Sequence, residues 1–478
     1  MVIKQSNYSL PLVIDLDGTL IYSDLLHESI LILIKSKPWL FFLLPYWLLF
    51  GKARFKSKLA SLVTISIASL PYNYKIIEFL TEQKKLGRKI VLCTASNTVI
   101  AQSISDHLGF FDEVIASDES INLTGPAKAN ELINRYGKGG FDYAGNSYAD
   151  LAVWFGARRS ILVNVKPSLE KICKQAFFVE KIIARPVVNF KSWVNAFRLH
   201  QWVKNILIFV PAVAAHASMT DNTLKDLIVA FFSFCLCSSS VYVLNDLLDL
   251  ESDRRHPRKR YRQFASGKIP ILVGVSFAPL LIFLSILLAK CVGTVFLCWL
   301  LIYFALTSLY SLILKRLVII DVLTLAILYT IRIIAGASAI NISLSFWILA
   351  FSIFLFFSLA FVKRAVELRS FYGDAGRKLH GRGYIASDAQ LIQQLGISSG
   401  YAAVLVLALY INSENIMRLY RMPELIWVAV PLLLWWLSWI WFEVNRGQIH
   451  DDPIVFAFRD KMSLLIGTLF LSVFAFAR

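Results

Sequence analysis

Long apolar segments fill the sequence from about residue 193 onward, and they restrict the folds open to this chain more than any other feature. Hydrophobic residues make up 57% of its 478 residues. Runs about as long as a bilayer core is thick are typical of spanning helices, because lipid offers the backbone no hydrogen-bonding partners. We predict about nine spans, at 203–219, 225–245, 270–289, 292–312, 318–339, 344–362, 396–413, 423–441 and 462–477. This part of the chain is therefore predicted to be an all-α polytopic membrane bundle.

The formal net charge of +17 is concentrated beside these apolar segments. Basic residues cluster after the second, fourth, sixth and eighth spans, which indicates that these loops are cytoplasmic. Orientation in an inner (cytoplasmic) membrane and attraction to anionic lipids explain the charge. The sequence shows no aromatic and basic module typical of nucleic-acid binding, so we expect no nucleic-acid partner. It does not fix the oligomeric state, and a homo-oligomer is compatible with it.

The N-terminal part of the chain alternates between strand and helix patterns. An apolar strand is predicted at the start of 12–20, where it runs into an acidic turn, and further strands are predicted at 89–93 and 141–144, each followed by polar residues. Helices are predicted between them. This order is typical of an α/β doubly wound parallel sheet, which gathers polar groups at the carboxyl edge of its strands. Acidic residues interrupt the first apolar segment, so we expect it not to be a signal peptide and this domain to be cytoplasmic. We predict an α/β domain at 1–176, a connector at 177–192 and the membrane domain at 193–478.

Four short motifs occur in order along this domain: 15–19 (DLDGT), Thr94, Lys128 and Asp150. Together they resemble the haloacid dehalogenase superfamily. The resemblance implies that Asp15 attacks phosphorus to form an aspartyl-phosphate and that Asp17 is the general acid and base. Thr94 and Lys128 would bind the phosphate, and Mg²⁺ would be held by Asp15, Asp17 and Asp150. Asn146 replaces an acid that the fourth motif often carries, so a degenerate, scaffold-only domain is the alternative.

Residues 21–75 lie between the first two motifs, where the superfamily inserts a cap. Within them, 39–50 (WLFFLLPYWLLF) is strongly apolar but too short to span a bilayer, and basic residues flank it. We predict an interfacial helix that touches lipid; a buried cap core is the alternative. An interfacial cap would turn the phosphatase pocket toward the membrane, and its substrate would carry a lipid tail.

A second group of acids ends the second predicted span. Asp246, Asp249 and Asp253 recur at i, i+3 and i+7, so on a helix they share one face with Asn245. Oxygen ligands of this kind suit Mg²⁺ shared with a substrate phosphate. The basic run that follows, including Lys259 and Arg262, would complement that phosphate. The alternative is a cytoplasmic basic loop whose acids only balance its charge.

The Asn-Asp-x-x-Asp-x-x-x-Asp pattern on an apolar bundle resembles the UbiA prenyltransferase superfamily, over roughly residues 190–478. Within it the chain is most similar to decaprenyl-phosphate phosphoribosyltransferases. The residues that carry this likeness are 201–205 (QWVKN), 256–262 (HPRKRYR), Lys363, Arg364, Glu367 and 459–460 (RD). The second Asp-x-x-x-Asp motif usual in the superfamily is missing after the sixth span. Only Asp374 and Asp388 stand there, among the basic residues Lys363, Arg364, Arg377, Lys378 and Arg382.

This departure favours phosphoribosyl diphosphate over a prenyl diphosphate as donor, with a polyprenyl phosphate lipid as acceptor. Asp249 is the predicted catalytic residue of the motif that holds Mg²⁺ and the leaving diphosphate. The predicted substrate-binding residues of this domain are Lys204, Lys259, Arg262, Lys315, Lys363 and Arg364. The fused phosphatase would remove the 5-phosphate of the product. Asp321, in the fifth span, fits either a functional site or a structural ion pair.

Two other functions remain open at this point. An intramembrane prenyltransferase would move an isoprenoid from its diphosphate onto an aromatic acceptor. A transporter would line an ion path with these acids, but they stand at the end of a helix rather than in broken helices at mid-membrane.

Overall fold

The computed structural model describes residues 10–118, 121–218, 220–369, 379, 381–413, 420–449 and 452–477. It divides into two compact units. The first comprises Met1–Ala196 with Val243–Phe277, and the second Phe197–Tyr242 with Ala278–Arg478. The segment 243–277, which contains the acidic pattern of the membrane domain, therefore belongs to the same compact unit as the α/β domain.

A six-stranded parallel sheet in the order β3-β2-β1-β4-β5-β6 organises the first unit. Its central strands are buried on both faces, as apolar runs in parallel sheets are expected to be. This confirms the predicted doubly wound α/β fold. The strands are β1 Leu12–Ile14, β2 Ile90–Asn97, β3 Glu113–Ser117, β4 Asp142–Gly145, β5 Arg159–Val163 and β6 Val179–Ile183. The connector predicted at 177–192 is wrong in its first part, because β6 lies there and pairs with β5. The exposed, charged residues Glu180 and Lys181 of β6 do not give the apolar pattern of a buried strand, so the sequence did not indicate this edge strand.

Helices cover the sheet and form the cap between β1 and β2. Asp24 begins the first helix by accepting a hydrogen bond from Leu26 N at 2.8 Å, which satisfies an amide that the helix itself cannot pair. The helices of the first unit that precede the membrane bundle are α1 Leu25–Ser36, α2 Leu44–Leu49, α3 Lys52–Leu62, α4 Tyr74–Lys85, α5 Thr98–Leu108, α6 Gly125–Tyr136, α7 Leu151–Gly156, α8 Pro167–Ala176 and α9 Phe190–Ala196.

The apolar part of the cap, Pro38–Leu49, is largely uncovered. Trp39, Phe42 and Leu49 are 65%, 81% and 82% exposed. A buried cap core would cover such side chains, so their exposure favours the predicted interfacial helix. Leu33, Phe55 and Leu59 form the small core that holds the cap together.

A buried ion cluster fastens the amino-terminal edge of the sheet. Arg88 on the β2 side pairs with Asp142 of β4, and both side chains are almost fully buried. Arg158 also donates to Asp142, from NH2 to Oδ2 at 2.7 Å. The Asp142 carboxylate is thus compensated by two guanidinium groups, as a buried charge must be.

Most of the described residues after α9 are helical. The helices are α10 Val210–Ala214, α11 Asp221–Leu248, α12 Leu250–Arg255, α13 Ile271–Val292, α14 Thr294–Leu312, α15 Ile320–Ala339, α16 Phe346–Arg369, α17 Ala389–Ile411, α18 Pro423–Ile426, α19 Ala429–Arg446, α20 Pro453–Ala457 and α21 Lys461–Ala477. The predicted helical membrane domain is confirmed by this part of the structure.

Seven helical segments of the described residues are long and apolar enough to cross a membrane, whereas about nine were predicted. The segment predicted at 203–219 folds instead as a 3₁₀ helix, Leu199–Phe209, and the short α10, with Pro211 at the start of α10. The last predicted span, α21, has 17 residues. At about 1.5 Å of rise per residue it falls short of a bilayer core of about 30 Å.

Candidate active sites

A cavity of about 330 Å³ opens at the carboxyl edge of the sheet in the first unit. Asp15 follows β1 directly, Lys128 lies on α6, and Asp150 follows β4. Lys128 Nζ donates to Asp15 Oδ1 at 2.6 Å and lies 3.9 Å from Asp150 Oδ1. The parallel register of the strands therefore brings three of the predicted site residues into contact.

Burial and neighbouring charges both shift the pKa values of Asp15 and Lys128. Burial raises the pKa of Asp15, although Lys128 opposes the shift. Burial alone would lower the pKa of Lys128, but Asp15 and Asp150 reverse that effect and raise it. The arrangement keeps an ammonium group beside the predicted nucleophile, where an incoming phosphate would need charge compensation.

Asp17 occupies a different environment two residues along the chain. Its Oδ1 accepts a hydrogen bond from Leu25 N at 2.9 Å and its Oδ2 from Ser96 Oγ at 2.6 Å. Burial and, to a smaller extent, the neighbouring Asp24 carboxylate raise the pKa of Asp17 to about 7. A carboxyl group with a pKa near neutrality suits a general acid and base.

The backbone directly after Asp17 needs glycine. Gly18 has φ of +76°, and a Cβ at this position would lie 2.0 Å from Asn146 Nδ2. Both the left-handed backbone and the close approach of Asn146 exclude a side chain here. The Asp-x-Asp-Gly pattern in the sequence is thus explained by the packing of this loop.

The structure places Thr94 beneath the cavity wall rather than on it. Thr94 is completely buried, and its Oγ1 accepts a hydrogen bond from Ser96 N at 3.0 Å. Ser96 and Asn97 line the cavity in its place. Sequence reasoning missed Ser96, although a second hydroxyl residue two positions after Thr94 was a signal for it.

The cap also contributes a cation to the cavity. Lys56 of α3 donates from Nζ to Ala95 O at 2.7 Å and lies among the lining residues with Asp17 and Asp24. Burial lowers the pKa of Lys56, while both carboxylates act in the opposite direction. Sequence reasoning treated Lys56 only as a flank of the apolar segment.

The acidic pattern of the membrane domain lies at the junction of α11 and α12, in the first unit. Arg262 NH1 bridges Asp246 Oδ1 at 3.1 Å and Asp253 Oδ2 at 2.7 Å. The Asp249 carboxylate pairs instead with Lys35 Nζ at 3.1 Å. The predicted helix that carries all three acids is interrupted at Asp249, which separates α11 from α12.

Asp246 and Asp253, which Arg262 bridges, lie close enough for one carboxylate to affect the pKa of the other. Burial raises the pKa of Asp253, and Asp246 adds to the shift while Arg262 opposes it. Asn245 stands one turn before Asp249, whose amide donates to its carbonyl at 2.9 Å. Lys259, on an exposed turn after α12, also lowers the pKa of Asp253. The predicted basic partners, Lys259 and Arg262, therefore lie beside the acids.

Within the described residues, no three His, Cys, Asp or Glu side chains are already arranged around one point to hold a metal. Lysine and arginine nitrogens compensate the acids of both groups in this structure. The donor chemistry nevertheless fits Mg²⁺, because both groups consist of crowded, partly desolvated carboxylates next to an amide residue. The residues that would hold it are Asp15, Asp17 and Asp150 in the cavity and Asn245, Asp246, Asp249 and Asp253 at the helix junction.

A cluster in the second unit joins two of the predicted cations. Lys204 Nζ and Lys363 Nζ lie 2.5 Å and 3.7 Å from the same oxygen, Asp452 Oδ2. Burial opposes ionisation, but the two lysines lower the pKa of Asp452 to about 2. Two ammonium groups on one carboxylate leave a net positive charge. Asp452 was missed because nothing in the sequence places it near Lys204, 248 positions away.

Two other predicted cations, Arg364 and Lys315, are described by different contacts. Arg364 pairs with acids other than Asp452. Arg364 is fully buried, with Nε 2.6 Å from Asp321 Oδ2, and it also pairs with Glu367. Tyr384 OH donates to the other Asp321 oxygen at 2.5 Å. Asp321 is therefore part of a buried ion pair, which favours the structural alternative. Lys315 lies half-buried on a 3₁₀ turn after α14.

The residues predicted after the sixth span are only partly described. Asp388 accepts from Ile385 N at 2.9 Å and so caps its own turn. Asp374, Arg377 and Lys378 lie outside the described residues. Arg382 lies 3.6 Å from Asp321 Oδ2 and pairs with Glu367 as well. The described cations of this loop thus compensate acids of the bundle.

Arg332, which sequence reasoning missed, is a further buried cation of the second unit. Its Nε donates to Asn205 Oδ1 at 2.8 Å and its NH2 to Tyr303 OH at 2.8 Å. The guanidinium also stacks over the rings of Tyr303 and Tyr329. Arg332 thereby fixes Asn205, the residue next to Lys204, from within the bundle.

Comparison with known families agrees with this division. The model of the UbiA prenyltransferase family matches residues 206–465. The model of the haloacid dehalogenase-like hydrolases matches residues 12–139.

Similar proteins cover one or both parts of the chain. An uncharacterized protein of Sinorhizobium fredii is 35% identical over 98% of this chain and 91% of its own. A decaprenyl-phosphate phosphoribosyltransferase of Mycolicibacterium smegmatis is 29% identical over 58% of this chain and 90% of its own. A solved UbiA homolog from Archaeoglobus fulgidus, bound to GPP and Mg²⁺, is 16% identical and covers 59% of this chain and 99% of its own, with a TM-score of 0.45.

Proposed function

Because this chain belongs to the UbiA prenyltransferase family and carries a haloacid dehalogenase-like hydrolase domain, we propose that it acts twice on a polyprenyl lipid. The membrane domain transfers phosphoribose from phosphoribosyl diphosphate to a polyprenyl phosphate. The hydrolase domain then removes the 5-phosphate of the product. The names of relatives such as the Mycolicibacterium smegmatis phosphoribosyltransferase support the donor and the acceptor.

The observation that carries the transferase proposal is the pair of ammonium groups on one carboxylate. Lys204 and Lys363 together outweigh Asp452 by one positive charge. Lys204 and Asp452 are buried, and a net positive charge in such a place costs free energy unless an anion compensates it. Phosphoribosyl diphosphate carries a 5-phosphate besides its diphosphate, and the lipid acceptor carries a phosphate as well. Either group is suited to Lys204 and Lys363.

The acids at the junction of α11 and α12 take the leaving diphosphate in this proposal. Mg²⁺ held by Asn245, Asp246, Asp249 and Asp253 would supply charge neutralisation of that group. Lys259 and Arg262 add positive charge at the same place. An oxygen of the lipid phosphate attacks the anomeric carbon of ribose, and the bond from that carbon to the diphosphate breaks. The acceptor phosphate is already an oxyanion, so the step needs no strong general base.

The second step uses the cavity of the hydrolase domain. Asp15 attacks the phosphorus of the 5-phosphate, and Asp17 gives a proton to the departing ribose oxygen. Lys128 balances the charge of the phosphoryl group. Water then hydrolyses the aspartyl-phosphate, with Asp17 taking the proton back. Inorganic phosphate and a polyprenylphosphoryl ribose are the products.

The exposed apolar cap supports a lipid-linked substrate for this second step. Aromatic and leucine side chains of Pro38–Leu49 face outward, and the exposed Lys52 and Arg54 follow them. This combination is typical of segments that lie in the interface of an anionic membrane. With the basic loops of the bundle, it supports active sites on the cytoplasmic face of an inner membrane.

The direct test is to identify the lipid product. The purified full chain in nanodiscs is incubated with a polyprenyl phosphate, phosphoribosyl diphosphate and Mg²⁺, and the lipid is analysed by mass spectrometry. We expect polyprenylphosphoryl ribose from the wild type and its 5-phosphate from Asp15→Asn. If both chains make the same lipid in the same phosphorylation state, the two-step proposal fails. If label enters an aromatic acceptor from a prenyl diphosphate but not a lipid from phosphoribosyl diphosphate, prenyl transfer replaces it.

Lys56 should matter for substrate binding by the hydrolase domain. We expect Lys56→Ala to raise the KM for a small phosphate ester about tenfold, because a charge-assisted hydrogen bond of about 1.5 kcal/mol would be lost. Steady-state hydrolysis of p-nitrophenyl phosphate by the full chain measures it. Lys58→Ala, at an exposed position of the same helix α3, is the matched control. An unchanged KM in Lys56→Ala would remove Lys56 from the site.

A further inference from the structure

Helix α1 of the cap contacts both groups of acids in the first unit. At its start, Leu25 N donates to Asp17 Oδ1 at 2.9 Å, and Leu25, Leu26 and Ser29 line the hydrolase cavity. In its last turn, Lys35 Nζ pairs with Asp249 Oδ1 at 3.1 Å. Ten residues of helix separate the two ends, or about 15 Å of rise. One helix therefore reaches from Asp17, the predicted general acid and base of the hydrolase, to Asp249, the predicted catalytic residue of the transferase.

A buried ion pair fixes this helix against α12. Arg254 NH1 and NH2 lie 3.1 Å and 2.5 Å from the two oxygens of Glu28, and both side chains are nearly inaccessible to solvent. Glu28 and Lys35 are seven residues apart, so they lie on the same face of α1. The bidentate pair Glu28–Arg254 fixes the axial position of α1, and that position brings Lys35 to Asp249.

Further contacts hold the rest of 243–277 on the hydrolase domain. Arg255 NH2 donates to Ser66 Oγ at 2.9 Å, and Arg185 NH2 donates to Gly267 O at 3.3 Å. Gly267 is packed so closely that a Cβ would lie 2.4 Å from Tyr22 Cβ. The acidic junction is thus anchored at several points, and the placement of Asp249 depends on the cap.

We propose that Lys35 is a positioning residue of the transferase, supplied by the hydrolase domain through α1. It holds the Asp249 carboxylate in the orientation that the proposed phosphoribosyl transfer requires. This inference rests on the function proposed above and assigns a reason for the fusion of the two domains: the transferase motif is incomplete without the cap of the hydrolase.

Exposure separates the roles of the two ion pairs. Glu28 and Arg254 are buried, as expected of a structural anchor, whereas the side chains of Lys35 and Asp249 are 42% and 32% exposed. An exposed pair adds little to folding stability because water screens it. Replacing Lys35 should therefore leave the fold intact and act on the orientation of Asp249.

The proposal is tested with Lys35→Ala, Lys35→Arg and Lys37→Ala in the full chain. Lys37→Ala is the matched control, a lysine just beyond the end of α1. We expect the transferase kcat of Lys35→Ala to fall at least about tenfold, with p-nitrophenyl phosphate hydrolysis and the unfolding temperature unchanged. Lys35→Arg should recover most of the lost rate, and Lys37→Ala should behave as wild type.

A zero-length carbodiimide crosslink gives a readout that does not depend on activity. The reagent joins an amine to a carboxylate only where the two are in contact, so peptide mass spectrometry should find Lys35 linked to Asp249. The crosslink should be absent from Lys35→Ala, with no equivalent product from Lys37.

Each other outcome overturns the proposal. A wild-type transferase rate in Lys35→Ala would show that Lys35 does not position Asp249. Equal losses of both activities with a lower unfolding temperature would make Lys35 a structural residue. If the wild type itself transfers no phosphoribose, the function proposed above fails, while the crosslink still reports whether Lys35 contacts Asp249.

Discussion

Asp15→Asn is expected to lower phosphate ester hydrolysis by about a thousandfold or more. An amide cannot attack phosphorus as a carboxylate does, so the covalent step is lost. The loss corresponds to about 4 kcal/mol of transition-state stabilisation. Asn has nearly the size and shape of Asp. The ammonium group of Lys128 would still have an acidic neighbour, because it lies 3.9 Å from Asp150 Oδ1. The cavity should therefore keep its shape.

The measurement is hydrolysis of p-nitrophenyl phosphate by the full chain with Mg²⁺, together with the unfolding temperature. Asp106→Asn, an exposed carboxylate on α5, is the control for the same chemical change away from the cavity. Hydrolysis by Asp15→Asn at the wild-type rate would assign the activity to another group. If the wild type hydrolyses neither this ester nor the lipid 5-phosphate, the scaffold-only alternative stands.

Asp249→Ala is expected to lower transferase turnover by about a hundredfold or more, because one oxygen ligand of the diphosphate site is lost. This corresponds to about 2.7 kcal/mol. The fold should change little, since the ion pair of Asp249 with Lys35 is partly exposed and contributes at most about 1 kcal/mol. Phosphate ester hydrolysis should continue, because Asp249 does not line the hydrolase cavity.

Transfer of labelled phosphoribose to the lipid measures this prediction. Glu251→Ala is the matched control: Glu251 lies two positions from Asp249, on α12, and pairs with Arg255 on the surface. A full transferase rate in Asp249→Ala would place catalysis elsewhere. If the transferase rate falls equally in Asp249→Ala and Glu251→Ala, the negative charge of this segment matters rather than the position of Asp249.

The predictions from sequence were strongest where local rules decide the structure. Asp15 and Asp150 follow apolar strands, and parallel strands bring their carboxyl ends to one edge, so the position of the cavity could be predicted from the sequence. The apolar segments likewise determined a helical membrane domain. The number of spans did not follow from apolar composition alone, since length and a proline at position 211 decide whether an apolar segment forms one long helix.

Contacts between distant parts of the chain could not be predicted in the same way. Ser96 rather than Thr94 lines the cavity. Side chains two positions apart on a regular strand point to the same side, so alternation could not choose between them. The pairing of β2 with β3 becomes irregular between Thr94 and Asn97, and no local pattern in the sequence records that irregularity. Lys56 reaches the cavity only because α3 folds over it. Asp452 joins Lys204 and Lys363 through packing of the bundle, and no local pattern records that packing.

The sequence by itself determined the two folds, the family motifs and the chemistry of the acids, since these depend on residue type, spacing and periodicity. Only the tertiary structure decided which cation compensates which acid. Lys35 meets Asp249 across 214 positions of sequence, and Glu28 meets Arg254 across 226. The reason is physical: an ion pair depends on distances of a few ångströms, and packing sets those distances between segments whose separation along the chain carries no information about them.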